Sequence, residues 1–220
     1  MTYFRRERFY GFKSEITVPK ALLLNDRIVN DLSILAEYTI KLEKELGGYL
    51  IRNSNGNLGV MGLQKGEGRQ VDVQPNEPLQ GKEVYLGTQH FHPITDTFSI
   101  WDVGTFLANP KEFISGVTGA NGDMNLLLKT SETQQIPLEA VPALDKMYKQ
   151  SDIPKLADEY KFLYYKGKLS SKKLKIVNKQ INSNGTMSVD EFTRAIKGLN
   201  EIPDFGDSSV ITRKVRKRDV

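Results

Sequence analysis

The sequence predicts an α/β (α+β) fold with a helical appendage, and three observations carry that expectation. Residues 26–48 place apolar side chains at helical spacing. Residues 49–92 fall into short apolar runs separated by turn residues, as strands do. From Pro142 onward, lysine-rich stretches with helical patterning take over.

The elements follow in order. Residues 14–18 suit one short strand. Asn25 or Asp26 is placed to cap a helix, whose apolar positions are Ile28, Val29, Leu32, Leu35, Ile40 and Leu42. The pair Gly47-Gly48 is expected to stop it. The stretch YLIRNSNGNLGVMGL reads as a hairpin around Asn55-Gly56, a turn pair that tolerates positive φ. After a further stretch of short strands and a proline-containing loop, EVYLGTQHFH has the strongest strand character in the chain. SIWDVGTFLANP then predicts a helix, with Ser99 at the cap and Asp102 three residues on. Residues 112–138 contain further strand-like runs, MNLLLKT among them.

Composition narrows the chemistry. Hydrophobic residues make up 39% and charged residues 26%, ordinary for a globular protein. No apolar run reaches the roughly 18 residues of a membrane span. No signal-peptide pattern follows the basic start, so a cytoplasmic protein is expected. With 0 cysteines there is no disulfide, thiolate nucleophile or Cys-bound zinc. Any metal must be held by His, Asp, Glu or water. Charge divides the chain: residues 146–220 carry 17 Lys/Arg against 9 Asp/Glu, while residues 1–145 carry 14 against 18. The organisation expected is therefore a domain over 1–145, a basic helical extension over 146–211 and a disordered basic tail over 212–220.

Both of the chain's 2 histidines lie in GTQHFHPITDTFSIWD. Residues two apart in a strand share a face, so His90 and His92 project together while Phe91 points the other way. Two imidazoles side by side suit a divalent metal and pack poorly. A pair of ordinary surface or core histidines is the plainer alternative. A catalytic zinc wants about three protein ligands and one open position, and Asp102 can supply the third. Pro93 lacks the amide hydrogen to continue the ladder and ends the strand there. Cupins, metallo-β-lactamases and barrel amidohydrolases would each need more histidines than the chain has.

The string His90-x-His92-Pro93, five residues, then Ser99-x-x-Asp102 resembles the signature of the JAMM, or MPN-type, zinc metallopeptidases. That family also has an upstream glutamate before a glycine and apolar residues. KELGGYLIR is similar, with Glu45 standing 45 residues before His90. The resemblance covers roughly residues 15–140; Phe91 departs from the Ser or Thr more usual between the histidines. It implies an MPN/JAB-like domain, a curved mixed sheet flanked by helices. It implies a Zn2+ site with His90, His92 and Asp102 as ligands and water in the fourth position. Glu45 would be the general base and Ser99 the residue stabilising the oxyanion. The reaction implied is amide hydrolysis, often of an isopeptide on the C-terminal tail of a ubiquitin-like protein. An alternative is a non-catalytic scaffold of the same fold whose basic extension docks a protein or nucleic-acid partner.

In the last third, KIVNKQINSNGTMSVDEF resembles a calcium loop only loosely. Gln180 stands where an aspartate is needed, and of the expected ligands only Glu191 is charged. A helix-turn-helix bending at Asn184-Gly185, with Ser188 capping the second helix, fits better. The tail's Arg213, Lys214, Arg216, Lys217 and Arg218 could meet nucleic acid or an acidic partner electrostatically.

Overall fold

The computed structural model describes residues 15–17, 20–52, 58–66, 84–94, 97–130, 132–178 and 186–188. The turn at Asn55-Gly56, the candidate calcium ligands up to Gly185 together with Glu191, and the basic tail lie outside these.

Helix α1 (Asp26–Leu42) starts where the sequence suggests, with Asn25 Oδ1 accepting from the Ile28 amide at 2.9 Å. It ends earlier than expected. Glu43 adopts the left-handed conformation at φ 51° and its amide bonds back to the Ile40 carbonyl. The glycine pair therefore belongs not to the helix end but to the interior of β3 (Leu46–Arg52). It serves a close approach there: a Cβ on Gly48 would stand 2.8 Å from the Met61 carbonyl oxygen.

Strand β3 pairs antiparallel with β4 (Leu58–Lys65) on one side and with β5 (Val84–His92) on the other. From β5 the chain crosses through helix α2 (Ile100–Ala108) into β6 (Ile114–Gly119), which runs parallel to β5. The rest of the sheet is antiparallel: β7 (Asp123–Leu128), β8 (Leu163–Lys168), β9 (Lys173–Ile176) and β2 (Ala21–Leu23). Among the described residues the order is β2-β9-β8-β7-β6-β5-β3-β4, a mixed eight-stranded sheet. Short helices α3 (Val141–Met147) and α4 (Ile153–Glu159) join β7 to β8. A separate pairing joins β1 (Glu15–Thr17) to β10 (Thr186–Ser188).

Each face of the sheet closes over its own core. Helix α1 lays Ile28, Leu32 and Ala36 against Leu50, Phe91, Leu126, Tyr165 and Leu174. On the other face Phe98, Val103, Phe106 and Leu107 of the α2 region meet Val117, Leu127, Leu144, Leu156 and Phe162.

Among the described residues of the helical unit expected from 146, α4 is helical, but Leu163–Lys168 and Lys173–Ile176 are strands of the central sheet, joined by one short 3-10 turn. Their alternation explains it. Tyr165 and Leu174 are buried while Lys166, Lys168 and Lys175 are exposed, a period of two that the lysine content obscures. Ser188 is the last residue of strand β10, and the helix it was expected to cap lies outside the described residues.

Candidate metal centre

Strand β5 changes phase before it reaches the histidines. Leu50 pairs with Gly87 but Ile51 with Tyr85, so Leu86 is an extra residue in a bulge. Gly87 sits at φ 155°, where a Cβ would meet the Ile114 carbonyl oxygen at 1.7 Å. Beyond the bulge, Thr88, His90 and His92 share one face, and Gln89 and Phe91 share the other. The pairing partners of the histidines on the flanking strands include two glycines. Gly47 lies opposite His90 on β3, and Gly119 opposite His92 on β6. Those two glycines are a signal the sequence alone did not expose.

Glu45 occupies the short link between α1 and β3, with its carbonyl fixed by the Gly66 amide at 2.9 Å. Its side chain is buried and reaches over β5. Glu45 Oε1 lies 3.1 Å from His90 Nδ1 and 3.2 Å from His92 Nε2, so one oxygen serves both rings. The rings stand nearly perpendicular, their centroids 6.3 Å apart. Burial alone would raise the Glu45 carboxyl, but the hydrogen bonds with His90 and His92 outweigh it and hold it below its ordinary value. Burial likewise opposes a charged His90. The Glu45 hydrogen bond and the negative charges of Asp102, Glu45 and Glu112 reverse that and raise it. Both shifts favour the same state, a carboxylate facing a protonated ring.

Ser99 and Asp102 form the expected helix start. Asp102 Oδ2 accepts from the Ser99 amide and from Ser99 Oγ, each at 2.7 Å, and Ser99 Oγ accepts from the Asp102 amide at 3.0 Å. The side chains that converge are thus Glu45, His90 and His92, with ligand atoms all within 4.8 Å of one another. Asp102 is not in that group, though its charge is felt at His90. The site lies where β5 ends and α2 begins, the end of a parallel strand at which α/β sheets commonly hold ligands.

Chemically, the converging atoms suit a divalent cation: two imidazole nitrogens and a buried carboxylate. A cation taking those nitrogens must displace their protons and the contacts to Glu45, so its uptake releases protons.

Compared with models of known protein families, with curated proteins and with solved structures, the chain has no match in any of the three. Among the described residues no helix is long and apolar enough to cross a membrane.

Proposed function

We propose that this protein is a metal-dependent amide hydrolase of the JAMM type, cutting a peptide or isopeptide bond at the C-terminal tail of a ubiquitin-like protein. The observation that carries the reading is the buried Glu45 carboxylate meeting both imidazoles of an H-x-H-P strand end. The spacing of Ser99 and Asp102 behind it supports the same reading.

Zn2+ is the cation proposed, with His90 and His92 as fixed ligands and Asp102 as the third. When bound, it would polarise the scissile carbonyl and acidify a water. The chain's own groups do the rest. Glu45 takes a proton from the attacking water at its carboxylate and passes it to the leaving nitrogen. Ser99 Oγ has one proton, now given to Asp102. To stabilise a developing oxyanion the hydroxyl rotates toward the substrate, and Asp102 keeps the Ser99 amide as its helix-start partner. Exposed Ile94 and Trp101, beside His92 and Asp102 in sequence, offer apolar contact to the substrate tail.

The test combines metal analysis with hydrolysis of ubiquitin-like fusions. The full chain should bind one Zn2+ and release the tail. Glu45→Gln should keep the cation and lose on the order of 100-fold or more in rate, and Asp102→Asn should lose the cation. Absence of stoichiometric metal in the wild-type chain would remove the reading. The reverse result for the two variants would make Glu45 the third ligand.

A further inference from the structure

On the face of β5 opposite the histidines, Gln89 stands beside Phe91 and is 0% exposed, an uncommon place for a glutamine. Its cross-strand partner on β6 is Gly116, and the carboxamide lies where a side chain there would go. A Cβ on Gly116 would stand 2.1 Å from Gln89 Oε1. From that position Gln89 Nε2 donates twice, to the His90 carbonyl at 2.9 Å and to Thr118 Oγ1 at 3.1 Å. Thr118 is also fully buried and lies opposite Phe91 on β6. The amide cannot be turned over, because Oε1 would then face the His90 carbonyl, and two acceptors do not bond. Held this way round, Gln89 Oε1 is buried and has no hydrogen-bond partner among the described residues.

A buried acceptor left unpaired carries its full desolvation cost. An apolar side chain at 89 would join the core beneath α1 without it. What distinguishes the place is the next residue. On their own face His90 and His92 have Gly47 and Gly119 as cross-strand partners, so no side chain at those positions packs against the rings. The contact of His90 with Glu45 gives way when a cation takes the ring nitrogens. The bond on the His90 carbonyl does not compete with a cation, because it lies on the far side of the strand. It ties the His90 peptide to Thr118, the residue before Gly119, which is the partner of His92. One carboxamide thus spans the two strands at the level of both imidazoles.

We propose that Gln89 is a positioning residue for the metal centre, a buried amide that braces the His90 peptide against Thr118 and so sets the direction from which the His90 imidazole meets a divalent cation. The proposal rests on the metal-site reading above. Gln89 touches neither cation nor substrate, and being uncharged it acts through geometry alone. The brace has two arms, and they can be cut together or singly. Gln89→Met keeps the length of the side chain and removes both donors; Thr118→Val keeps the shape of its side chain and removes one acceptor.

The experiment is a Co2+ and Zn2+ titration of the full chain, following the visible bands of Co2+, alongside thermal melting without metal. Wild type should bind one cation. Gln89→Met should bind it roughly tenfold or more weakly, the usual scale for partners behind the ligands, with a shifted Co2+ spectrum and a metal-free melting temperature at or above that of wild type. Thr118→Val should weaken binding in the same direction but less, because the arm to His90 remains, and that variant decides the matter if Gln89→Met does not fold. Wild-type affinity and spectrum in the variants overturn the proposal. So does weaker binding with an unchanged spectrum and a lowered metal-free melting temperature, which would make Gln89 a residue of the core only. Failure of wild type to bind either cation is a different result, and removes the metal site itself.

Discussion

Strand β5 sends Phe91 into the core beneath α1 and turns His90 and His92 to the opposite face; β8 sends Tyr165 into that same core and turns Lys166 and Lys168 to the opposite face. One sheet thus uses one alternation in two ways. Over β5 the second face is covered by Glu45 and the start of α2, and its polar groups find each other. Over β8 and β9 that face opens to solvent beyond Tyr164, and the lysines stand in water. The difference shows what makes a polar strand face a site here: not the charges it carries but how far its neighbours withdraw it from water.

The largest expected effect tests whether β8 and β9 are part of that sheet's core at all. Ending the chain after Asp145 removes Leu163, Tyr165 and Leu174 from one core and Ile153, Leu156, Phe162 and Tyr164 from the other. It also strips β8 from one edge of β7 and leaves β2 without β9. Such a chain should show no cooperative thermal transition and little soluble yield. A soluble 1–145 fragment with a sharp melt would restore the picture of a separable extension.

Next come the two buried faces. Tyr165→Ala empties a fully buried ring position and should cost about 3–5 kcal/mol, as large-to-small aromatic changes do, readable in denaturant midpoint. His92→Ala should move the same midpoint far less, because the imidazole faces a polar site. It should weaken Zn2+ binding by roughly 100-fold or more, since one of about three protein ligands is gone. Equal stability losses in the two variants would erase the contrast between core side and site side.

The candidate site was legible where residue type is rare and spacing short. Two histidines two apart, a proline and a capping box can be placed from the chain alone, and the Asn25 and Ser99 helix starts follow their sequence signals closely. Glu45 was legible only through the resemblance to a family motif. Gln89 left no trace, because a lone glutamine in a strand becomes meaningful only when β5 and β6 align. The strands β8 and β9 were misread for a physical reason. Lysines at 166, 168, 172, 173 and 175 raise helix propensity, yet the buried Tyr165 and Leu174 set a period of two, and Gly167 permits the close pass of Lys173, whose carbonyl oxygen would be 2.1 Å from a Cβ there.

A smaller effect separates buried from solvated lysine. Burial pulls the Lys129 ammonium down to about 8, against an ordinary 10.5, with Glu112 pushing partly back. Below pH 8 the folded chain carries that proton at a cost. Between about pH 8 and 10 the folded state has shed it while the unfolded chain still binds it, so stability rises with pH in that window. Lys129→Met should flatten the rise in melting temperature from pH 8 to 10, and the exposed Lys166→Met should leave it in place.

The smallest effect comes from the solvated face itself. Lys166 pairs directly with Lys175 across β8 and β9, and Lys168 with Lys173. Like charges in opposed positions are unfavourable, by roughly 0.2–1 kcal/mol on the scale of cross-strand pairs. Asp123 relieves the second pair, lying 3.3 Å from the Lys168 ammonium. Among the described residues Lys166 and Lys175 have no such acid within ion-pair distance. Lys175→Glu should therefore stabilise the chain by up to about 1 kcal/mol, whereas Lys173→Glu should give less, because Lys168 is already engaged. Both gains belong to exposed charges, so raising the salt from about 0.05 to 0.5 M should shrink them as the Debye length contracts. A gain from Lys175→Glu that ignored salt would mean that this edge of the sheet is shielded like the face at β5, and that the contrast between the two strands is one of residue type alone.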